Sequence, residues 1–145
     1  MNPFQLSYID RLKEWRDLRN LIKTKTLEEQ CVAVDHWWQQ APLLTHHFHW
    51  NDMTHWTDPW EMLSENLYCP LTRAVGMCYT LLMNDITNIE LVHAHDQQAE
   101  EHYLVLVNNA KYVLSYWPDT VISNSLSNFT INSSKSLESL KNKIK

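Results

Sequence analysis

The sequence predicts an α+β domain, with N-terminal helices and a central cysteine-bearing helix packed on a small antiparallel sheet. Three observations predict it. Apolar residues recur every three or four positions up to Met83, a turn signal follows at Asn84-Asp85, and three β-branched and aromatic runs come after it. At 145 residues the chain has the length of one domain with a substantial core.

The first helix is expected within residues 4–24, where Phe4, Tyr8, Leu12, Trp15, Leu18 and Ile22 form one stripe. Asp10, Glu14 and Asp17 dilute Arg11, Arg16 and Arg19, which favours packing on the domain over a membrane surface. Thr26 and Glu29 fit a capping box for a second helix running to about Gln40, presenting Val32, Val34, Trp37 and Trp38. Pro42 ends it. Residues 41–58 form an aromatic, histidine-rich loop. His46, His47, His49 and His55 match no zinc-ligand spacing, so no metal and no cofactor are expected.

Asp58-Pro59 is an N-cap followed by proline at the first helical position, opening a short helix that buries Trp60, Leu63 and Leu67. Tyr68-Cys69-Pro70 repeats the device and opens helix 70–83, whose wide apolar arc makes it central to the core. Gly76, the one glycine in the chain, lies within that helix and implies a close approach to its backbone. Strands are expected over 89–94, 102–107 and 111–117, with Asn108-Asn109-Ala110 turning between the last two. Pro118 stops the third strand. Residues 1–122 form the domain, with 1–57 as its helical part and 58–122 as its core. Residues 123–145, rich in Ser, Asn and Lys, read as a polar tail with a short helix near Leu137–Lys143.

Composition bounds the function. Hydrophobic residues make up 44% and charged residues 20%, which excludes global disorder. A net charge of -5 argues against a nucleic-acid partner, which needs a basic face. The N-terminus lacks a basic-then-apolar leader, and no apolar run approaches the ~18 residues of a membrane span. Cys31, Cys69 and Cys78 lack C-x-x-C spacing and are odd in number. These features lead to the expectation of a cytoplasmic product in a reducing compartment, with no membrane association.

Cys69 stands out. An N-cap sulfur lies near unpaired N–H groups and the positive end of the helix dipole, which favours the nucleophilic thiolate. His102 opens the second strand and Asp119 follows the third, 33 residues beyond Cys69 and 17 beyond His102. Antiparallel pairing would make His102 and Asp119 neighbours, a carboxylate orienting an imidazole that takes the thiol proton.

Tyr68-Cys69-Pro70, His102-Tyr103-Leu104-Val105 and Trp117-Pro118-Asp119 together resemble the transglutaminase-like branch of the papain-like cysteine fold over about residues 58–122. That family carries a cysteine at the start of a central helix, a histidine opening a strand and an aspartate after the next strand. The resemblance implies cysteine-dependent acyl transfer, by amide hydrolysis or transamidation of a protein substrate. Cys69 would be nucleophile, His102 base and later acid, and Asp119 orienter, with Asn66 or Tyr68 beside the Cys69 N–H in an oxyanion hole. The family's glycine before the cysteine and small residue four positions after it are replaced by Leu67 and Arg73. Asp58-Pro59-Trp60-Glu61 and Glu65–Cys69 also resemble proteins of large tailed bacteriophages. That similarity implies the alternative of a non-catalytic virion or assembly protein on the same scaffold, with phage structural proteins as partners.

Overall fold

A buried threonine hydroxyl holds the helical layer together. The computed structural model describes residues 2–44, 47–118, 120–123 and 126–144, with Ile122 and Ser123 as backbone alone. Thr80 lies on the third turn of α4 (Pro70–Met83) and donates its hydroxyl to Gly76 O at 2.8 Å. The same oxygen accepts two indole N–H groups at 2.9 Å. One comes from Trp15 of α1 (Tyr8–Ile22), the other from Trp38 of α2 (Leu27–Gln39). Its donor and both lone pairs are used, so three helices meet with no buried polar cost at that point.

Local chemistry sets each helix boundary. Phe4 lies in a separate 3-10 turn, Pro3–Gln5, and Ser7 caps α1, so the stripe expected within 4–24 divides in two. Thr26 and Glu29 form the expected capping box of α2. Asp58 caps α3 (Pro59–Glu65), and Asn66 ends it in the left-handed conformation at φ 55°. Val32 and Leu67, both expected in the core, are exposed. Gly76 fulfils its expectation: an added Cβ would stand 2.6 Å from the Trp38 ring.

The sheet has five strands in the order β4-β3-β2-β1-β5, every neighbour antiparallel. They are β1 (Ile89–Asp96), β2 (Glu101–Val107), β3 (Tyr112–Trp117), β4 (Thr120–Ser123) and β5 (Phe129–Ser136). Asn108, Asn109 and Ala110, all at positive φ, turn β2 into β3. One sheet face packs Leu91, Val105, Val107 and Leu114 against the helices. The other gathers Val92, Ala94, Leu104, Leu106 and Val113, with Tyr116, Leu126 and Phe129 against them.

The segment expected as a tail is a correction. It supplies β5, which pairs with β1 along its length, while the short helix expected near Leu137–Lys143 is present as α5 (Glu138–Lys141). Its polar sequence hid it because an edge strand is held by backbone hydrogen bonds, and these side chains are mostly exposed. No helix among the described residues is long and apolar enough to cross a membrane.

Two substitutions test the helical layer by urea unfolding. Thr80→Val strands two buried indole donors and should cost about 3 kcal/mol. Gly76→Ala gains helix propensity, yet it drives a methyl into an indole ring that the Thr80 bond holds still. It should lose about 1–3 kcal/mol net.

Candidate active site

Cys69 is the N-cap of α4, in extended conformation at φ -118° and ψ 174°, with Pro70 following. Its Sγ lies 3.1 Å from the Thr72 hydroxyl. Burial pushes the thiol up, but the Thr72 hydroxyl and the N–H groups of Phe48, His47 and Thr72 outweigh it and leave the thiol below its ordinary value. The other cysteines go the opposite way: burial raises Cys31 to about 12, and raises Cys78 also. All three are buried, Cys69 at 1% exposure and the others at 0%. Donors around the sulfur therefore distinguish them, and access does not.

Asn66 and Tyr68, the expected oxyanion donors, are directed elsewhere. Asn66 Nδ2 donates to Phe4 O at 3.1 Å. The Tyr68 ring packs edge-on against Phe4 and Trp38 in the core. The donors that lower the Cys69 thiol are the Thr72 hydroxyl first, then the backbone N–H groups of Phe48, His47 and Thr72.

His102 is held by Asp96, its Nε2 meeting Asp96 Oδ2 at 2.9 Å. Asp96 lies below its ordinary value chiefly because His102 donates to it, with the N–H groups of Glu100 and Gln98 adding to the effect. The His102 ring also meets Tyr116 and Phe129 edge-on at 5.1 and 5.5 Å. Those partners belong to the second sheet face, whereas Cys69 belongs to the helix-side core. The structure thus pairs His102 with Asp96 and does not give it a hydrogen bond to Cys69. Asp119 lies outside the described residues.

The side chain that β2 turns toward Cys69 is Tyr103, which packs on the helix-side core. Burial first, then the charges of Glu101 and Cys69, push its hydroxyl up. Tyr103 faces His93 across the β1–β2 ladder, the rings stacked at 5.0 Å and 20°. His93 Nε2 meets Glu101 Oε1 at 3.2 Å. Each histidine therefore carries a carboxylate on Nε2, one on each face of the sheet.

A cleft of about 340 Å³ opens beside the first turn of α4, lined among others by Leu43, Pro70, Arg73, His102, Tyr116 and Trp117. It exists because the β2–β3 pairing stops at Val105 and Leu114. Ser115 takes φ 70° there, and its N–H donates to the buried Asp35 at 2.9 Å.

The loop histidines do not converge on one point. His47 meets Glu65 and His55 meets Asp52, while His46 lies outside the described residues. The metal-ligand-type cluster among the described residues is Asp96, Glu100 and His102, with ligand atoms within 4.8 Å. Asp96 Oδ1 already accepts the Gln98 and Glu100 N–H groups, and Oδ2 accepts from His102. Calcium takes six to eight oxygens. Two carboxylates, one of them already accepting three hydrogen bonds, fall short of that number.

Thr72, Asp96, His93 and Glu101 were missed from sequence. Thr72 was findable as a hydroxyl three residues beyond an N-cap, and Asp96 as an Asx turn before Gln97-Gln98. The lowered Asp96 carboxyl gives a stability contribution that is present above its ordinary value of 3.8 and lost as pH falls through its folded value. Asp96→Asn should therefore lower the urea midpoint at pH 7, with the gap to wild type closing below that ordinary value.

Neither a protein-family model nor a curated protein matches this sequence. Among solved structures, the chain is similar to LapG of Legionella pneumophila at 16% identity and TM-score 0.72, covering 90% of this chain and 75% of that one. The EGTA-treated form matches equally. Its calcium-bound form matches at 15% identity and TM-score 0.74, covering 92% and 78%. The α+β fold of this chain is transglutaminase-like, with helices before a five-stranded antiparallel sheet.

Proposed function

We propose that the protein performs cysteine-dependent acyl transfer, by amide hydrolysis or transamidation, with Cys69 as nucleophile. One observation carries this reading. Of three buried cysteines, the one at the start of the central helix has its thiol lowered, while the other two are raised. The thiolate is the attacking species, and N–H groups that stabilise it can also hold the oxyanion formed on the substrate carbonyl. The transglutaminase-like fold supports the reading by offering a scaffold suited to it. Cys69 is 1% exposed, so acylation requires the groups around it to move aside for substrate. The cleft beside Pro70 is the surface against which a protein segment would lie.

Iodoacetamide near neutral pH, read by peptide mass spectrometry, should label Cys69 faster than Cys31 and Cys78. Thr72→Val removes one of the donors to the sulfur and should slow that labelling about three- to tenfold at pH 7, with less effect at high pH. Equal, slow labelling of all three cysteines would sink the assignment.

A second reading has its own observation. Cys69 is 1% exposed, and His102 stands on the opposite sheet face with Asp96. A scaffold that has abandoned catalysis would look like this, binding partners through exposed Trp117, Leu43 and Leu44 beside the cleft. The phage structural role belongs to this reading. It expects Cys69→Ala to leave partner binding intact, and Trp117→Ala to weaken it in sizing or native mass measurements.

A further inference from the structure

We propose that the groove between α1 and α3 binds an acidic segment of a partner protein, with Lys13, Arg16 and Arg19 taking its carboxylates. The groove shares no lining residue with the cleft beside Pro70, and the proposal does not involve Cys69. Positive charge is unevenly placed in this chain. Of its 12 Lys and Arg residues, six fall between Arg11 and Lys25 and none between Thr26 and Thr72, while the whole chain carries -5. α1 is thus the basic face of an acidic protein.

Arg11 shows how the fold uses an arginine. It is buried and donates to Leu63 O at 2.9 Å and to Leu6 O at 2.7 Å. Arg16 and Arg19 are not used in that way. Among the described residues, neither they nor Lys13 pair with a carboxylate. The Arg19 guanidinium lies 4.3 Å from the Trp15 ring centroid, and its Nε is buried without an acceptor. Burial first, then the charge of Arg16, holds Arg19 below its ordinary value. Two like charges therefore stand side by side, one of them half-buried. That arrangement costs stability, and an incoming anion offsets the cost.

The groove, of about 370 Å³, adds apolar walls from Ile9, Leu12 and Trp60, with Ile9 77% exposed at its rim. Lys13 to Arg19 spans about 9 Å at 1.5 Å per residue, more than a single phosphate or carboxylate covers. Two carboxylates at alternate positions of an extended segment, ~7 Å apart, match that span. An apolar residue of the same segment would lie on Ile9 and Trp60. A flat anionic membrane fits less well, because exposed Asp10, Glu14 and Asp17 lie on the same helix and would meet it. The net charge of -5 opposes a long polyanion such as nucleic acid.

The test is fluorescence anisotropy of a labelled, end-capped peptide repeating Glu-Leu-Glu, titrated with the intact chain. A peptide repeating Gln-Leu-Gln, vesicles of anionic lipid and duplex DNA are the comparison probes. The Glu peptide should bind about tenfold more tightly than the Gln peptide, and its affinity should fall as salt rises. Arg16→Gln should weaken binding about tenfold without lowering the urea midpoint, because it removes a like charge from an exposed position. Lys13→Gln, also exposed, should weaken binding by less. Cys69→Ala and Trp117→Ala should bind as the wild type does. The proposal is overturned if the Glu peptide binds no better than the Gln peptide, or if neither Arg16→Gln nor Lys13→Gln weakens binding. Binding of vesicles or DNA alone overturns it as well. So does loss of peptide binding in Trp117→Ala, since the cleft would then be the site.

Discussion

The Thr80 hydroxyl is the constraint on which the rest of the molecule depends. It joins α1, α2 and α4 through one oxygen, and it does so beside the one residue without a side chain. Trp38 can reach Thr80 only because Gly76 leaves room for the indole to lie against the helix. The same indole meets Phe4, Trp37 and Tyr68 edge-on or tilted, so the aromatic packing of the helical layer radiates from this point. Aromatic edges and faces attract in such arrangements, which adds direction to burial. Fixing α4 in this way fixes its first turn, and with it the place of Cys69 over the sheet.

A second constraint works at the sheet. Asp35 of α2 is fully buried and accepts the Ser115 N–H, holding that residue in the left-handed region. β3 therefore leaves β2 early, and the strand ends part to form the cleft. An acidic side chain on one helix thus shapes a surface feature beside the start of another.

What was legible in the sequence was local. Thr26, Asp58 and Cys69-Pro70 announced helix starts because a cap is a relation among residues three apart. Gly76 announced a close approach, and the structure supplies the ring that makes it. The sheet face of a side chain was less accessible. His102 and Tyr103 are neighbours, and a one-residue change of register exchanges which of them faces the helices. The fragment His102-Tyr103-Leu104-Val105 cannot decide that, because hydrophobic residues occupy both faces of the central strands. β5 escaped notice for the converse reason: an edge strand with a solvated face has no apolar alternation to display.

That polar edge also guards the molecule against itself. A sheet ends in rows of unpaired backbone groups, which invite another chain to add a strand. Here β5 breaks register against β1 between His93 and Ala94, leaving Asn132 as an irregularity, and it carries Lys135. At the far side β4 spans only Thr120–Ser123. A bulged, lysine-bearing strand at one border and a four-residue strand at the other are poor templates for stacking. The Ser- and Asn-rich composition that makes the C-terminal segment look unstructured is therefore suited to a strand that ends the sheet with its side chains in water.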